Sequence, residues 1–237
     1  MNLSALSKQK IEEGSILLID KEKTWTSFDV VKKIKNILKE KFKIKKIKVG
    51  HAGTLDPLAT GLLIICTGKL TKKISEIQEQ KKTYCGEIIL GATTPSFDLE
   101  TKINQKFDVS HITKELIYDT TNNFIGEIFQ KPPLYSAIKV KGERLYKKAR
   151  RGENVNIKKR LVTVYKFKIT DIKMPKIKFI IDCSKGTYIR SIANDFGQQL
   201  RTGGHLSNLI RKKIGDYNLK DAMTINEFEK NIINNTS

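Results

Sequence analysis

The spacing of apolar residues along the chain divides it into predicted helices and predicted strands. Apolar positions three and four residues apart indicate a helix with one buried face, whereas alternation or a short continuous apolar run indicates a strand. The clearest helix is predicted over 26–40, because an apolar stripe runs along it and lysines occupy the other side. Thr26 and Asp29, three residues apart, resemble a capping box at its start. The stripe consists of Val30, Val31, Ile34, Ile37 and Leu38.

The remaining predicted elements mix strands and helices without a regular alternation. Strands are predicted at 15–20, 62–66, 82–91, 124–129, 161–172, 177–183 and 205–214. Helices are predicted near 70–78, over 111–121 with Ser110 as its cap, over 188–200, and over 224–233 with Thr224 as its cap. The basic segment 41–48 is predicted as an edge strand, and residues 1–14 as a charged lead-in. This order predicts the α+β class, with a mixed, mainly antiparallel sheet and flanking helices in a single domain over 1–237.

The charge of the chain indicates a polyanionic partner. Lysine and arginine number 45 against 25 acidic residues, an excess of 20 that is well beyond what a small domain needs for solubility. Nucleic acid is the first candidate and an anionic membrane surface the second. An A/T-rich genome, which favours lysine codons, would account for about a third of this excess. No segment approaches the roughly 20 apolar residues of a membrane-spanning helix, so we expect no membrane partner.

The three cysteines, Cys66, Cys85 and Cys183, are far apart in sequence and lie in apolar, strand-like segments. An odd number of scattered cysteines is typical of reduced thiols in the cytoplasm, and filling the core is their simplest role. The sequence contains no CxxC pair and no Cys/His cluster of the kind that binds zinc. We therefore expect a cytoplasmic protein without a metal site.

The segment 50–61 has an unusual composition for a connection between strands. Its three glycines permit tight turns and the close approach of a ligand, and Pro57 restricts the backbone of Asp56 before it. His51 lies five positions before Asp56. Such a loop could present a rigidly held carboxylate to a bulky substrate. An Asp-Pro pair also commonly starts a turn in which the aspartate bonds its own backbone, so composition leaves both interpretations open.

The same segment, with the sequence GHAGTLDPLATGLL, resembles the signature of the TruB-type tRNA pseudouridine synthases, which modify uridine 55 in the T-loop. Further segments resemble that family in the family's own order, from about Ser15 to Gly215. They are SILLIDKEKTWTSFDVVKKIK, KKTYCGEIILGATTPSFDLET, QKPPLYSAIKVKGERLYKKARRG, CSKGTYIRSIANDFG and GGHLSNLIRKKIG. The resemblance implies the pseudouridine synthase catalytic fold and an isomerase that flips a uridine out of tRNA without a cofactor.

The resemblance implies three catalytic residues. Asp56 matches the family's catalytic aspartate, Arg190 matches the arginine that pairs with it, and Tyr84 matches the tyrosine that stacks on the flipped base. A guanidinium can hold a carboxylate ionised and oriented, and an aromatic face can replace lost base stacking. The carboxylate could attack C1′ of the sugar or C6 of the base, or act as a base at C2′. The sequence leaves these three routes open.

The other matched positions concern substrate binding. His51 matches a histidine that positions the opened T-loop, with proton transfer as a secondary role. Tyr188 matches a second pocket tyrosine, and Leu209 matches an apolar pocket residue for which plain core packing is the alternative. Lys21 is expected to touch backbone phosphate.

The segment 131–152 resembles the family's RNA-contacting insertion. It combines a run of basic residues with Tyr135 and Tyr146, and its Lys139 and Lys141 are expected to bind the T-arm of tRNA. Its length and charge predict a mobile flap that orders on RNA. A solvated helix face is the alternative for a basic run.

About twenty residues follow Gly215, too few for the PUA-type C-terminal domain that many members of the family carry. The chain therefore resembles the short bacterial form with a catalytic domain only, and we expect a monomer. Two alternatives remain. A non-catalytic tRNA-binding or folding protein on the same fold would not need Asp56, Tyr84 and Arg190 together. A guide-RNA-dependent enzyme acting on ribosomal RNA is disfavoured, because those relatives rely on the C-terminal domain.

Overall fold

The computed structural model describes residues 6–234, which contain both helices and strands. The α-helices are α1 (Lys8–Glu13), α2 (Ser27–Phe42), α3 (Ile74–Glu79), α4 (Lys114–Asn122), α5 (Leu145–Arg150), α6 (Ile189–Gln199) and α7 (Ile225–Asn234). Two 3₁₀ turns, Gly68–Lys73 and Leu219–Asp221, precede α3 and α7. Within residues 6–234, no helix is long and apolar enough to cross a membrane.

The strands belong to two compact units, one containing the described residues up to Tyr84 and those from Ile210 onward, the other Cys85–Leu209. Strands β4 and β12 have residues in both units. The single domain over 1–237 stays a prediction. The strands are β1 (Ile16–Lys21), β2 (Val49–His51), β3 (Thr60–Thr67), β4 (Lys82–Leu90), β5 (Ala92–Thr93), β6 (Gln105–Lys106), β7 (Gly126–Gln130), β8 (Lys139–Val140), β9 (Glu143–Arg144), β10 (Arg160–Lys173), β11 (Lys176–Cys183), β12 (Gly204–Ile214) and β13 (Tyr217–Asn218).

In the first unit, β3 is buried on both faces and pairs with three other strands. β1 and β2 run antiparallel to β3, and β12 runs parallel to it. Leu63 and Ile65 belong to a core shared with α2 and α7, whereas Leu62 and Ile64 belong to a second core with α3. Because both faces are buried, this strand has a continuous apolar sequence instead of an alternating one.

Helix α2 buries the predicted apolar stripe. Val30, Ile34 and Leu38 are 0% exposed. The Thr26 hydroxyl accepts a hydrogen bond from the Asp29 N–H, and the Asp29 carboxylate accepts one from the Thr26 N–H. The predicted capping box is therefore confirmed, and it fixes the first turn of the helix.

In the second unit, the long strands β10 and β11 form an antiparallel hairpin, and β7 pairs antiparallel with the outer side of β10. The strand order in this unit is β12-β4-β11-β10-β7. Four aromatic rings pack at centroid distances of 5.6 to 6.0 Å and join β10 and β11 to helix α6. They belong to Phe124, Phe167, Phe179 and Phe196. Antiparallel pairs such as β1–β3 and β10–β11, the parallel pair β12–β3 and the packed helices confirm the predicted α+β class.

The basic segment 41–48 is not the predicted edge strand. Helix α2 continues to Phe42 and ends at Lys43, which has a left-handed φ of 51°. Ile44 and Ile47 are buried in the same core as α2. The apolar positions that suggested alternation are therefore explained by core packing after the helix end.

The structure also differs from the sequence prediction in one additional helix and in the start of another. Residues 8–13, predicted as part of a charged lead-in, form α1 with Ser7 as its cap. Residues 1–5 of that lead-in lie outside the described residues. Helix α4 is capped by Thr113 and not by Ser110, so it begins three residues later than the sequence suggested.

Candidate active site

The loop 52–59, which we call the Asp56 loop, joins β2 to β3. The carbonyl oxygen of Asp56 accepts a hydrogen bond from the Ala59 N–H at 3.1 Å, which closes a turn with Pro57 at its second position. Leu55 is 3% exposed, whereas Asp56 is half-buried. The backbone of Asp56 therefore makes a turn, as is common for an Asp-Pro pair. The presentation of its carboxylate to a substrate stays a prediction.

Ser27, the first residue of α2, holds the loop next to Asp56. The Leu55 N–H donates to the Ser27 Oγ at 2.8 Å, and the Ser27 hydroxyl donates to the Leu55 carbonyl oxygen at 3.1 Å. Ser27 is 2% exposed, so both bonds are shielded from water. The start of the helix thus fixes the residue directly before Asp56, a role that the sequence did not reveal.

Lys21, the last residue of β1, is enclosed by protein and is 0% exposed. Its ammonium group donates to the carbonyl oxygens of Trp25 at 2.7 Å, Glu22 at 2.9 Å and Pro57 at 3.3 Å. The Thr24 N–H donates to the same Pro57 oxygen at 2.8 Å. The residue directly after Asp56 is therefore held as firmly as the one before it.

This position revises the phosphate contact expected for Lys21. Its three donors all have carbonyl partners, so the group supports the Asp56 loop from inside the fold. Burial lowers the pKa of Lys21 to about 8, and the negative charge of Asp56 opposes that shift. Lys21 and Asp56 are thus electrostatically coupled within the first unit.

Arg211 in β12 binds the start of the loop and β3, the strand that follows it. Its Nε donates to the Leu62 carbonyl oxygen at 2.8 Å, its Nη2 to that of Gly53 at 3.0 Å and its Nη1 to that of Thr54 at 3.3 Å. Arg211 is 1% exposed. Sequence reasoning missed this residue, because Arg211-Lys212-Lys213 resembles a basic surface run. The available signal was its place among apolar residues of a predicted strand.

His51 lies in β2, where it pairs with Ile65 of β3, and its side chain is half-buried. Burial lowers the pKa of His51, the positive charge of Arg211 lowers it further, and a backbone hydrogen bond with Gly53 opposes both effects. The lowered pKa favours the neutral form of the imidazole. A neutral ring suits the positioning role predicted for His51 and could not serve as a cation for phosphate.

Tyr84 is the third residue of β4, and its side chain is 8% exposed. Lys82, two positions earlier, is also buried, and its ammonium donates to the carbonyl oxygens of Gln78 and Gln80. These bonds fix the start of the strand that carries Tyr84. Stacking of Tyr84 on a base stays a prediction.

In the second unit, Arg190 lies in the first turn of α6 and its side chain is 3% exposed. Its guanidinium donates to the carbonyl oxygens of Tyr135 at 2.9 Å and Ser96 at 3.1 Å. Its Nε lies 3.6 Å from Oδ2 of Asp98. Its burial excludes an ordinary surface arginine at this position. The pairing with Asp56 stays a prediction.

Tyr188 precedes α6 as its cap residue, and Gln130 holds its backbone. The Tyr188 N–H donates to Oε1 of Gln130 at 2.7 Å, and the Gln130 amide donates to the Tyr188 carbonyl oxygen at 3.0 Å. Gln130 is 2% exposed and was not predicted to matter. Leu209 is 7% exposed, which is compatible with both interpretations given for it. The pocket roles of Tyr188 and Leu209 stay predictions.

The insertion 131–152 contains a small hairpin and a helix. Strands β8 and β9 pair through the two-residue turn Lys141-Gly142, in which both residues have positive φ. Lys139 and Lys141 are exposed on this hairpin. Helix α5 follows directly, and Leu145 and Ala149 on it are buried. One face of this helix is thus packed against the protein, and its exposed basic residues are compatible with both the RNA-contacting and the solvated interpretation.

Ion pairs join the hairpin to the end of α5. The Arg151 guanidinium binds both carboxylate oxygens of Glu143, at 2.7 and 2.8 Å, and Oε1 of Glu153 at 2.7 Å. Lys148 lies 3.1 Å from Glu153 and 3.5 Å from Glu143. Acidic residues thus neutralise the basic residues near α5, while the lysines of the hairpin remain exposed.

Comparison with known proteins places these features in a family. The model of the TruB family pseudouridylate synthase N-terminal domain matches residues 37–189. A tRNA pseudouridine synthase B from Flavobacterium johnsoniae is 54% identical over 228 residues, which are 96% of this chain and 100% of that protein. One from Phocaeicola vulgatus is 49% identical over 217 residues, 92% of each chain.

Solved structures show the same fold. A Cbf5–Nop10–Gar1 complex contains a chain that is 26% identical, with a TM-score of 0.69. An H/ACA ribonucleoprotein bound to a substrate RNA containing 2′-deoxyuridine has a chain that is 24% identical, with a TM-score of 0.68. Each match covers 94% of this chain but only 55% and 54% of the other, so this chain spans about half the length of those proteins.

The family match covers well over half of the chain, and the relatives named above match nearly its full length. The range matched by the family model includes the Asp56 loop, which the structure holds through Ser27, Lys21 and Arg211. The chain belongs to the TruB family of pseudouridylate synthases, which are isomerases.

Proposed function

We propose that this enzyme converts uridine 55 in the T-loop of tRNA to pseudouridine, with Asp56 as the catalytic carboxylate. The observation that carries the proposal is the Asp56 loop, whose backbone is bound on both sides of Asp56 by Ser27 and Lys21. The relatives named tRNA pseudouridine synthase B support tRNA as the substrate.

The proposed chemistry needs a fixed carboxylate. The isomerisation breaks the bond between N1 and C1′, turns the uracil and joins C5 to C1′. The proton of C5 leaves and N1 gains one, so atoms and electrons balance within the nucleoside. An ionised Asp56 can be the nucleophile at C1′ or C6, or the base at C2′. Every route needs the carboxylate within bonding reach of one atom, and a rigid backbone supplies that placement.

The remaining matched residues are proposed to contact or orient the flipped uridine. Tyr84 stacks on the uracil, and Arg190 supplies the counter-charge for the catalytic carboxylate. Tyr188 and Leu209 contact the base through apolar surface. His51 meets the opened T-loop as a neutral imidazole, in agreement with its lowered pKa.

The hairpin of the insertion is proposed to bind the T-arm. Lys139 and Lys141 are exposed, and lysines in such positions neutralise phosphates without reading sequence. We further propose that the enzyme acts on tRNA as a monomer in the cytoplasm.

The test is pseudouridine formation on an unmodified tRNA transcript, mapped by carbodiimide-dependent reverse-transcription stops. The wild-type protein should give a new stop at position 55. Asp56→Asn keeps the shape of the side chain and removes its nucleophilic, basic oxygen, so kcat should fall by about 100- to 10,000-fold, the range for a lost catalytic group. Binding of the transcript should be retained.

Asp216→Asn provides the matched control, because it makes the same chemical change at an exposed position and should leave kcat unaltered. A folded wild-type protein that binds the transcript without giving a stop in the T-loop would favour the non-catalytic tRNA-binding alternative. An Asp56→Asn variant with normal kcat would refute the assignment of Asp56 alone.

A further inference from the structure

Arg211 is a buried cation held by backbone carbonyl oxygens. It is 1% exposed, and its three hydrogen bonds go to backbone carbonyl oxygens. Among the described residues, none of the ion pairs within 4.0 Å involves Arg211. Burying a guanidinium without a carboxylate is costly. The positions of its three carbonyl partners therefore indicate the structural role of Arg211.

Those partners lie on both sides of Asp56 in the sequence. Gly53 and Thr54 precede it by three and two residues, and Leu62 follows it by six. A planar guanidinium offers donors in several fixed directions, so one side chain can bind both ends of a loop at once. The guanidinium of Arg211 thus binds the start of the Asp56 loop and the strand that follows the loop.

The backbone of Arg211 adds a second attachment. Arg211 pairs with Gly61 in the parallel ladder between β12 and β3. Gly61 has a φ of 101°, and a Cβ there would lie 2.5 Å from the Arg211 carbonyl oxygen. Only glycine permits this approach. The backbone just after the Asp56 loop therefore lies against Arg211, whose side chain binds the start of the loop.

We propose that Arg211 is a positioning residue that closes the Asp56 loop and thereby sets the placement of the Asp56 carboxylate. The inference rests on the proposed catalytic function of Asp56. The guanidinium acts through the backbone of the loop and touches no reacting atom. After burial, its positive charge is the second cause that lowers the pKa of His51, which supplies a readout independent of turnover.

Two substitutions of Arg211 distinguish the effect of its planar set of N–H donors from the effect of its positive charge. Arg211→Met removes both and keeps a long apolar side chain, whereas Arg211→Lys keeps the charge and loses the planar fork. Both variants should lose about 100-fold in kcat, the cost of misplacing a catalytic group by about 1 Å. The KM for tRNA should change little, because RNA contacts are not removed.

The NMR titration of His51 should distinguish the two variants. Its pKa should rise in Arg211→Met, where the neighbouring charge is gone, and stay near the wild-type value in Arg211→Lys. Lys213→Met is the matched control, because Lys213 is an exposed cation two positions along the same strand. It should alter neither kcat nor the pKa of His51.

The outcomes separate this inference from the proposed function. A wild-type protein that forms no pseudouridine would remove the proposed function itself. An active wild type with folded Arg211 variants of unchanged kcat would overturn the positioning role only. Arg211 variants that differ from the wild type only in KM or in thermal stability would also overturn the positioning role. If neither variant folds, Arg211 is a folding element and the inference is overturned.

Discussion

Two buried cations and one hydroxyl determine how Asp56 is held. Lys21 and Arg211 are both enclosed, and both donate only to backbone carbonyl oxygens. Ser27 completes the set through Leu55. Carbonyl oxygens carry partial negative charge, so these cations orient the loop through its backbone.

Replacing Lys21 tests its burial through the pH dependence of stability. The pKa of Lys21 is about 8 in the folded protein against an ordinary value of 10.5. Between these values the unfolded chain binds more protons than the folded one, so raising the pH favours the folded state. Compared with Lys21→Met, the wild type should therefore gain free energy of unfolding as pH rises from about 8 to 10.5.

Urea denaturation of both proteins at several pH values measures this difference. Lys23→Met removes a lysine that is exposed in the same segment, and it should show no such dependence. A wild-type advantage over Lys21→Met that is constant with pH would contradict the lowered pKa.

The sequence predicted less about the surroundings of single residues than about their identity as candidates. A long motif singled out Asp56 as the candidate carboxylate, and that assignment stays a prediction. Lys21 was expected to contact phosphate, because a sequence does not reveal whether a lysine after a strand points to solvent or into the fold. Arg211 and Gln130 were missed because each acts on a backbone far away in sequence.

At the scale of elements, local signals determined most helices and strands. The capping box of α2 and the Thr224 cap of α7 were readable because a side-chain hydroxyl at a helix start accepts a nearby backbone N–H. The segment 41–48 was predicted wrongly, because its apolar residues Ile44 and Ile47 pack after a helix end. Tertiary packing, which alternation alone does not encode, decided that case.

The cap of α7 provides a stability prediction. The Thr224 hydroxyl accepts a hydrogen bond from the Glu227 N–H at 3.2 Å, and the Glu227 carboxylate accepts one from the Thr224 N–H at 2.8 Å. Thr224→Ala should lower the free energy of unfolding by about 1 kcal/mol. Thr224→Ser keeps the hydroxyl and should retain most of the stability. Equal urea midpoints for all three proteins would show that the cap contributes nothing.

At the scale of the whole molecule, the excess of 20 positive charges should govern tRNA affinity. Each phosphate contact should add about 0.7 to 0.9 to the slope of log affinity against log salt concentration. Replacing both Lys139 and Lys141 with methionine should reduce that slope by about two. Filter binding over a range of salt concentrations measures both quantities.

Lys173 and Lys176 provide the control for this experiment. Both are exposed beside the turn between β10 and β11, and their double replacement removes the same charge from a surface outside the insertion. That variant should keep the wild-type slope. A flat dependence of affinity on salt for the wild type would contradict an electrostatic role for the charge excess, and equal slopes for the two double variants would contradict the special role of the hairpin.

The attachment of the Asp56 loop to Arg211 has a consequence for protein synthesis. The guanidinium and its three carbonyl partners are 149, 157 and 158 positions apart in sequence. A growing chain carries the complete loop motif long before Arg211 has been translated, and contacts at such separation form late in folding. A nascent or truncated chain that ends before Arg211 would therefore contain the motif without its geometry, and catalytic competence would begin only after Arg211 has been made.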